Sequence, residues 1–85
     1  MGPFRKRLER ILRQRFPKPA SIELREDDGV IGVITSPEFR GKEPMERVTM
    51  IWDILDKELS PEERKKIVTI LAVTPEEEIA HSTSG

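Results

Sequence analysis

Phe4, Leu8, Ile11, Leu12 and Phe16 recur at i, i+4, i+7, i+8 and i+12, which is one stripe of a helix with a period of about 3.6 residues. The spacing predicts an amphipathic helix over 3–16. Pro3 suits a first helical position, while Pro17 and Pro19 forbid continuation. Ile22 and Leu24 then alternate with Ser21, Glu23 and Arg25, and Glu26-Asp27-Asp28-Gly29 supplies turn chemistry before the β-branched run Val30 to Thr35, a hairpin signature. Gly32 inside the second strand indicates a bulge or a close backbone contact. Ser36 to Pro44 reads as a loop punctuated by Pro37, Gly41 and Pro44. Met45, Val48, Trp52, Leu55 and Leu59 step by 3, 4, 3 and 4, with Ile51 and Ile54 widening the stripe. That predicts the longest and most buried helix over 44–59, with Trp52 in its core stripe. Ser60-Pro61-Glu62-Glu63 combines a Ser cap, Pro at the first position and Glu three residues after the cap, and Thr74-Pro75-Glu76-Glu77 repeats it. Between these starts, Arg64-Lys65-Lys66 gives the first short helix a basic end that suits its dipole. Ile67 to Val73 is apolar and β-branched enough to be a buried strand. A short helix is expected over 75–80 and a frayed tail over 81–85. The predicted fold is α+β, in the order α-β-β-α-α-β-α.

At 85 residues the chain suffices for one domain, assigned to 1–80, and such a chain buries only about 60–65% of its unfolded surface. Hydrophobic residues (35%) are matched by charged ones (36%), so the apolar minority must be placed strictly for a core to close. There is no cysteine, hence no disulfide framework and no thiolate, which suits the reducing cytoplasm. No apolar run approaches the roughly 18 residues of a membrane span, and Met1 to Phe16 is too charged for the apolar segment of a signal peptide.

The net charge of -1 hides an asymmetry. Residues 1–19 carry seven basic side chains against Glu9 alone, for +6; the remainder carries eight basic and fifteen acidic, for -7. Arg5, Lys6, Arg10, Arg13 and Lys18 are therefore candidates for a phosphate footprint. The other reading is a solvated helix face drawn to its own acidic neighbours. Catalytic chemistry lacks parts: the one histidine, His81, lies in the tail, and no serine is set against a histidine base. Glu62, Glu63, Glu76 and Glu77 have capping roles. Asp27 and Asp28 lack the alternating oxygen ligands of a calcium loop and read as turn residues. The sequence describes a non-enzymatic binding domain without metal or cofactor.

The order of elements resembles the BolA-like family, whose fold is similar to a class II KH domain, with helices packed on a three-stranded mixed sheet. The resemblance runs through residues 4–79. It is carried by the leading helix ending at Phe16-Pro17, the hairpin, Ser36-Pro37-Glu38-Phe39-Arg40-Gly41-Lys42 leading into the second helix, Glu46-Arg47, and the last strand running into Thr74-Pro75-Glu76-Glu77. It implies a regulatory or adapter role, with Phe39, Arg40, Gly41, Lys42 and Arg47 as the partner-binding residues and a monothiol glutaredoxin as a candidate partner. Where the family usually has histidines, this chain has Val48 after Arg47 and Lys66 before the last strand. The second of these positions is the family's iron-sulfur ligand, and the hairpin loop offers only carboxylates, so loss of the cluster site is expected. Nucleic acid is the alternative partner implied by the KH-like fold. Ser36 to Arg47 sums to zero charge and holds only Gly41 where a KH loop needs two glycines three apart, so weak binding through the basic first helix is expected. No membrane partner and a monomeric state complete these expectations.

Overall fold

Pro3–Arg15 forms α1, and the chain turns at Phe16, whose N–H donates to the Leu12 carbonyl at 2.8 Å. The structure, a computed structural model, describes residues 3–78. Strands β1 (Ser21–Glu26) and β2 (Val30–Thr35) pair antiparallel across a turn in which Asp28 (φ 60°) and Gly29 (φ 125°) take the left-handed backbone that such turns require. A single 3₁₀ turn, Pro37–Phe39, leads to α2 (Pro44–Glu58), α3 (Pro61–Arg64) and β3 (Ile67–Val73). β3 lies parallel to β2, giving a mixed sheet in the order β1-β2-β3. Residues 75–78 form a further helical turn. No helix among the described residues is long and apolar enough to cross a membrane.

The α+β reading and the order of elements hold throughout the described residues. The expected helix beyond residue 78 and the tail at 81–85 lie outside them. Leu8 and Leu12 of α1, with Phe16 just after it, meet Ile22, Val30, Ile34 and Ile70 of the sheet and Ile51 and Leu55 of α2, with its C-cap Leu59, in one hydrophobic core. Burying these residues is the main force that closes so charged a chain.

Two expectations are corrected by the packing, and a third is decided between its alternatives. The buried stripe of α2 is Ile51, Leu55 and Leu59, spaced i, i+4 and i+8, with Arg47 one turn earlier on the same line. Trp52 is consequently only half-buried at the flank, and Met45 and Val48 face outward, because the first turns of α2 lie outside the hydrophobic core. β3 is not a fully buried strand: it lies at the end of the sheet order, burying Ile67 and Ile70 while Val68 and Leu71 are exposed. Gly32 marks a close contact and not a bulge. It pairs with Leu24, and a Cβ there would stand 2.8 Å from the Leu24 side chain. The register irregularity falls instead between Val30 and Ile31, where β3 has Val68 in excess.

Candidate functional site

The loop between β2 and α2 is built on two buried side chains. Ser36 is buried and its hydroxyl accepts from the Glu38 N–H at 3.1 Å, closing the 3₁₀ turn. Phe39 is fully buried, with its ring centroid 5.4 Å from that of Phe16 in a tilted aromatic pair. The sequence placed Phe39 at a partner surface; the structure places it in the core, so its role is to hold the loop down. Gly41 follows at φ 74°, a left-handed conformation that favours glycine, and it is exposed. Arg40, Gly41 and half-buried Lys42 form the outer rim.

Arg47 does not offer its charge to a partner. Its side chain is only 12% exposed and ties three segments together. Nε donates to the Lys42 carbonyl at 3.0 Å, and Nη1 donates to the Ala72 carbonyl at 3.1 Å and to Glu77 Oε1 at 2.7 Å. Glu77 also accepts from the Thr74 N–H at 2.9 Å while Thr74 Oγ1 accepts from the Glu77 N–H at 3.1 Å, a capping box that starts the 75–78 turn. The Arg47 hydrogen bonds first, and the Thr74 N–H second, hold the Glu77 carboxyl down to about 2 from its ordinary 4.5. Arg40 is paired in the same manner, through a two-pronged contact with Glu76 whose Nε arm measures 3.1 Å, and this contact lowers the Glu76 pKa. Glu76 and Glu77 thus have two duties, capping and ion pairing, of which only capping was visible in the sequence. The pairing partners are 36 and 30 residues away, and no local pattern announces them.

With both arginines engaged internally, exposed apolar side chains stand beside the loop among Lys42, Glu43 and Glu46. Met45 is 75% and Val48 40% exposed on the first turns of α2, immediately after the loop. Sequence periodicity had counted both as core. The signal that could have corrected it is Arg47 standing four residues before Ile51, which puts the long buried line on 47-51-55-59 and turns Met45 and Val48 away.

The basic residues of α1 divide into two groups. Arg7 pairs with Glu63 and donates to the Glu58 carbonyl at 3.1 Å, and Arg15 donates to Glu38 at 2.9 Å. Glu63, which also accepts from the Ser60 N–H, is shifted downward chiefly by that backbone bond and less by Arg7. Lys6 and Arg10 sit on the exposed side, away from Leu8 and Leu12, and neither they nor Lys18 has an ion pair among the described residues. Arg5 is half-buried, and Arg13 donates to the Ala20 carbonyl at 2.8 Å.

No protein-family model matches the sequence, and no curated protein matches it in sequence. Solved structures do match in shape. The BolA domain of SufE1 from Arabidopsis thaliana superposes with a TM-score of 0.71 at 23% identity, covering 91% of this chain and 98% of that one. BolA1 from Arabidopsis thaliana superposes with a TM-score of 0.65 at 17% identity over the same shares. The chain has the BolA-like fold.

The iron-sulfur site expected of the resemblance is not matched by the donors present. Val48 is an aliphatic side chain in solvent, and the Lys66 ammonium lies 5.1 Å from the centre of the Phe4 ring, a cation–π contact. Neither supplies the imidazole or thiolate that a cluster takes, and His81, the only histidine of the chain, lies outside the described residues. Among the described residues no group of histidine or acidic side chains is placed to hold a metal ion.

Proposed function

We propose that this chain is a BolA-type adapter domain without enzymatic activity, which docks a protein partner on the loop 36–44 and the first turns of α2. The observation that carries the reading is the exposure of Met45 and Val48 beside a loop anchored from below by Phe39 and from the side by Arg40–Glu76 and Arg47–Glu77. A preorganised loop next to an apolar contact loses little entropy on binding, and buried apolar anchors dominate interface affinity. Arg40, Gly41 and Lys42 supply the polar rim of this surface, while Phe39 and Arg47 act by holding its shape. A monothiol glutaredoxin is a candidate partner, reached without a shared cluster.

Nucleic acid is the second reading, favoured by one observation: Lys6, Arg10 and Lys18 are exposed cations with no carboxylate partner among the described residues. Affinity capture from an extract of the native host separates the two, with the wild type and a Met45→Glu/Val48→Glu variant as baits. The adapter reading expects a protein retained by the wild type and depleted at least about tenfold with the variant. Equal retention by both baits, or recovery of nucleic acid alone, overturns it.

A further inference from the structure

Both long helices pack on one face of the sheet; on the other face the 75–78 turn covers only the Thr35 end, where Thr35 Oγ1 donates to Glu78 at 3.2 Å, and the rest is open. Register defines its content. Glu23, Val33 and Leu71 form one row across the three strands and Arg25, Ile31 and Thr69 the next, all on the side opposite Ile22, Ile34 and Ile70. Leu71 is 54% exposed and Ile31 36%, with Val68 beside the hairpin at 60%. An exposed β-branched and leucine surface on so polar a domain marks a contact site. Its rim is charged in a particular way: Glu23 and Arg25 stand about 7 Å apart on β1, pointing the same way, and neither has an ion pair among the described residues.

We infer that this open face packs against the same face of a second copy of the chain. Sheets stack face to face with their strands nearly aligned. A twofold axis between two such sheets, perpendicular to the strands and midway between the two rows, lays one row over the other. Glu23 then faces Arg25 of the second copy and Arg25 faces its Glu23, while Val33 covers Ile31 and Leu71 covers Thr69. The charge pattern is therefore self-complementary in the arrangement that also buries the apolar centre. This surface is distinct from the Met45–Val48 patch, which lies on the helical side, so self-association leaves the proposed docking end free.

Three strands about 4.8 Å apart, open over about four residues each, give roughly 200 Å² per copy, below the area of a permanent interface. The dimer is therefore weak, with a dissociation constant on the order of 10⁻⁴ M. A monomer, the state expected from the sequence, prevails in dilute solution.

Sedimentation velocity of the full chain from about 10 µM to about 1 mM tests this. The wild type is expected to shift from monomer to dimer across that range. Leu71→Lys and, separately, Ile31→Lys weaken association at least about tenfold, with unchanged circular dichroism because both sites are solvent-facing. Glu23→Arg and Arg25→Glu each weaken it about twofold to fivefold, and the double exchange restores it. A monomer at every concentration overturns the inference. A dimer indifferent to Leu71→Lys, or a double exchange that fails to restore association, overturns it equally.

Discussion

Arginine has opposite fates in two regions of this small domain. In the loop and at the start of α2, Arg40 and Arg47 are each consumed by a carboxylate of the 75–78 turn, and Arg47 also satisfies two backbone carbonyls. On the outer side of α1, Lys6 and Arg10 point into solvent with no such partner among the described residues. Both stretches look like candidate binding motifs in sequence, yet in the first both arginines are paired and only Lys42 is left without a carboxylate partner among the described residues. A cation count therefore measures a surface's capacity for phosphate only after internal pairs have been subtracted. The loop region then stands as a rigid frame for an apolar contact, and α1 as a cationic surface.

The largest expected effect tests whether the loop is a frame. Phe39 is fully buried against Phe16, so Phe39→Ala should cost about 3–5 kcal/mol in urea unfolding, a large share of what a domain of this size has. Trp52→Ala should cost clearly less, since Trp52 is half-buried and flanks the 47-51-55-59 line. Equal costs would mean that the core lies on the Trp52 side of α2 and that the loop is loosely held. Because Phe39→Ala acts through folding, loss of partner binding in that variant counts as a docking effect only after its stability is known.

The elements themselves were legible because their signals are local. Proline placement bounded α1, turn residues bounded the hairpin, and the two Ser/Thr-Pro-Glu-Glu starts located α3 and the 75–78 turn. The rotation of α2 was less legible, since Met45, Val48 and Trp52 fit a helical stripe as well as Ile51 does and only tertiary packing decides between them. A parallel strand at a sheet end was misread as buried because Ile67 to Val73 is apolar on both faces, which is the signature of a central strand. The site was least legible. Zero net charge over Ser36 to Arg47 described its composition, while the pairs that set its chemistry, Arg40 with Glu76 and Arg47 with Glu77, join segments distant in the chain.

Acid offers a second, smaller test of the frame. Glu77 titrates at about 2 in the folded chain against an ordinary 4.5, so its folded pKa is depressed. Its contribution to stability is then complete above 4.5 and is lost as pH falls from there towards 2. Glu76 and Glu63 shift in the same direction, chiefly for Arg40 and for the Ser60 N–H respectively, and likewise lose their contribution as pH falls below 4.5. The melting temperature should therefore fall between pH 4.5 and 2, and Glu77→Gln should start lower at neutral pH and fall less steeply. Arg47→Gln should behave alike, whereas Arg10→Gln should leave the profile unchanged, since Arg10 has no carboxylate partner among the described residues. Coincident profiles for the wild type and Glu77→Gln would remove the Arg47–Glu77 clamp from the account of the loop.

The smallest effect concerns the free cations and sharpens the comparison from the other side. Residues 20–85 sum to -7 and repel phosphate, so whatever nucleic-acid binding the chain has must come from the N-terminal segment. Within that segment Arg7 and Arg15 are paired, Arg13 is engaged with the Ala20 carbonyl, and Arg5 is half-buried, which leaves Lys6, Arg10 and Lys18. Binding to a mixed-sequence oligonucleotide should be weak, with a dissociation constant on the order of 10⁻⁴ to 10⁻⁶ M at physiological salt. Each phosphate contact contributes about 0.7 to the slope of log affinity against log salt for a single strand and about 0.9 for a duplex, so Lys6→Gln/Arg10→Gln/Lys18→Gln should flatten that slope by roughly two to three. Arg40→Gln/Arg47→Gln, which removes the same kind of charge from the loop, should leave the slope where it was, because those charges are already neutralised by Glu76 and Glu77. Fluorescence anisotropy titrations at a series of salt concentrations give both slopes. If the loop pair flattened the slope as much as the helix triple, phosphate would be displacing the internal carboxylates, and the loop would bind nucleic acid directly instead of framing an apolar contact. Tight binding that discriminates between sequences would lead to the same revision, since two exposed cations on α1 and a third in the turn after it provide attraction to any phosphate backbone and no means of reading bases.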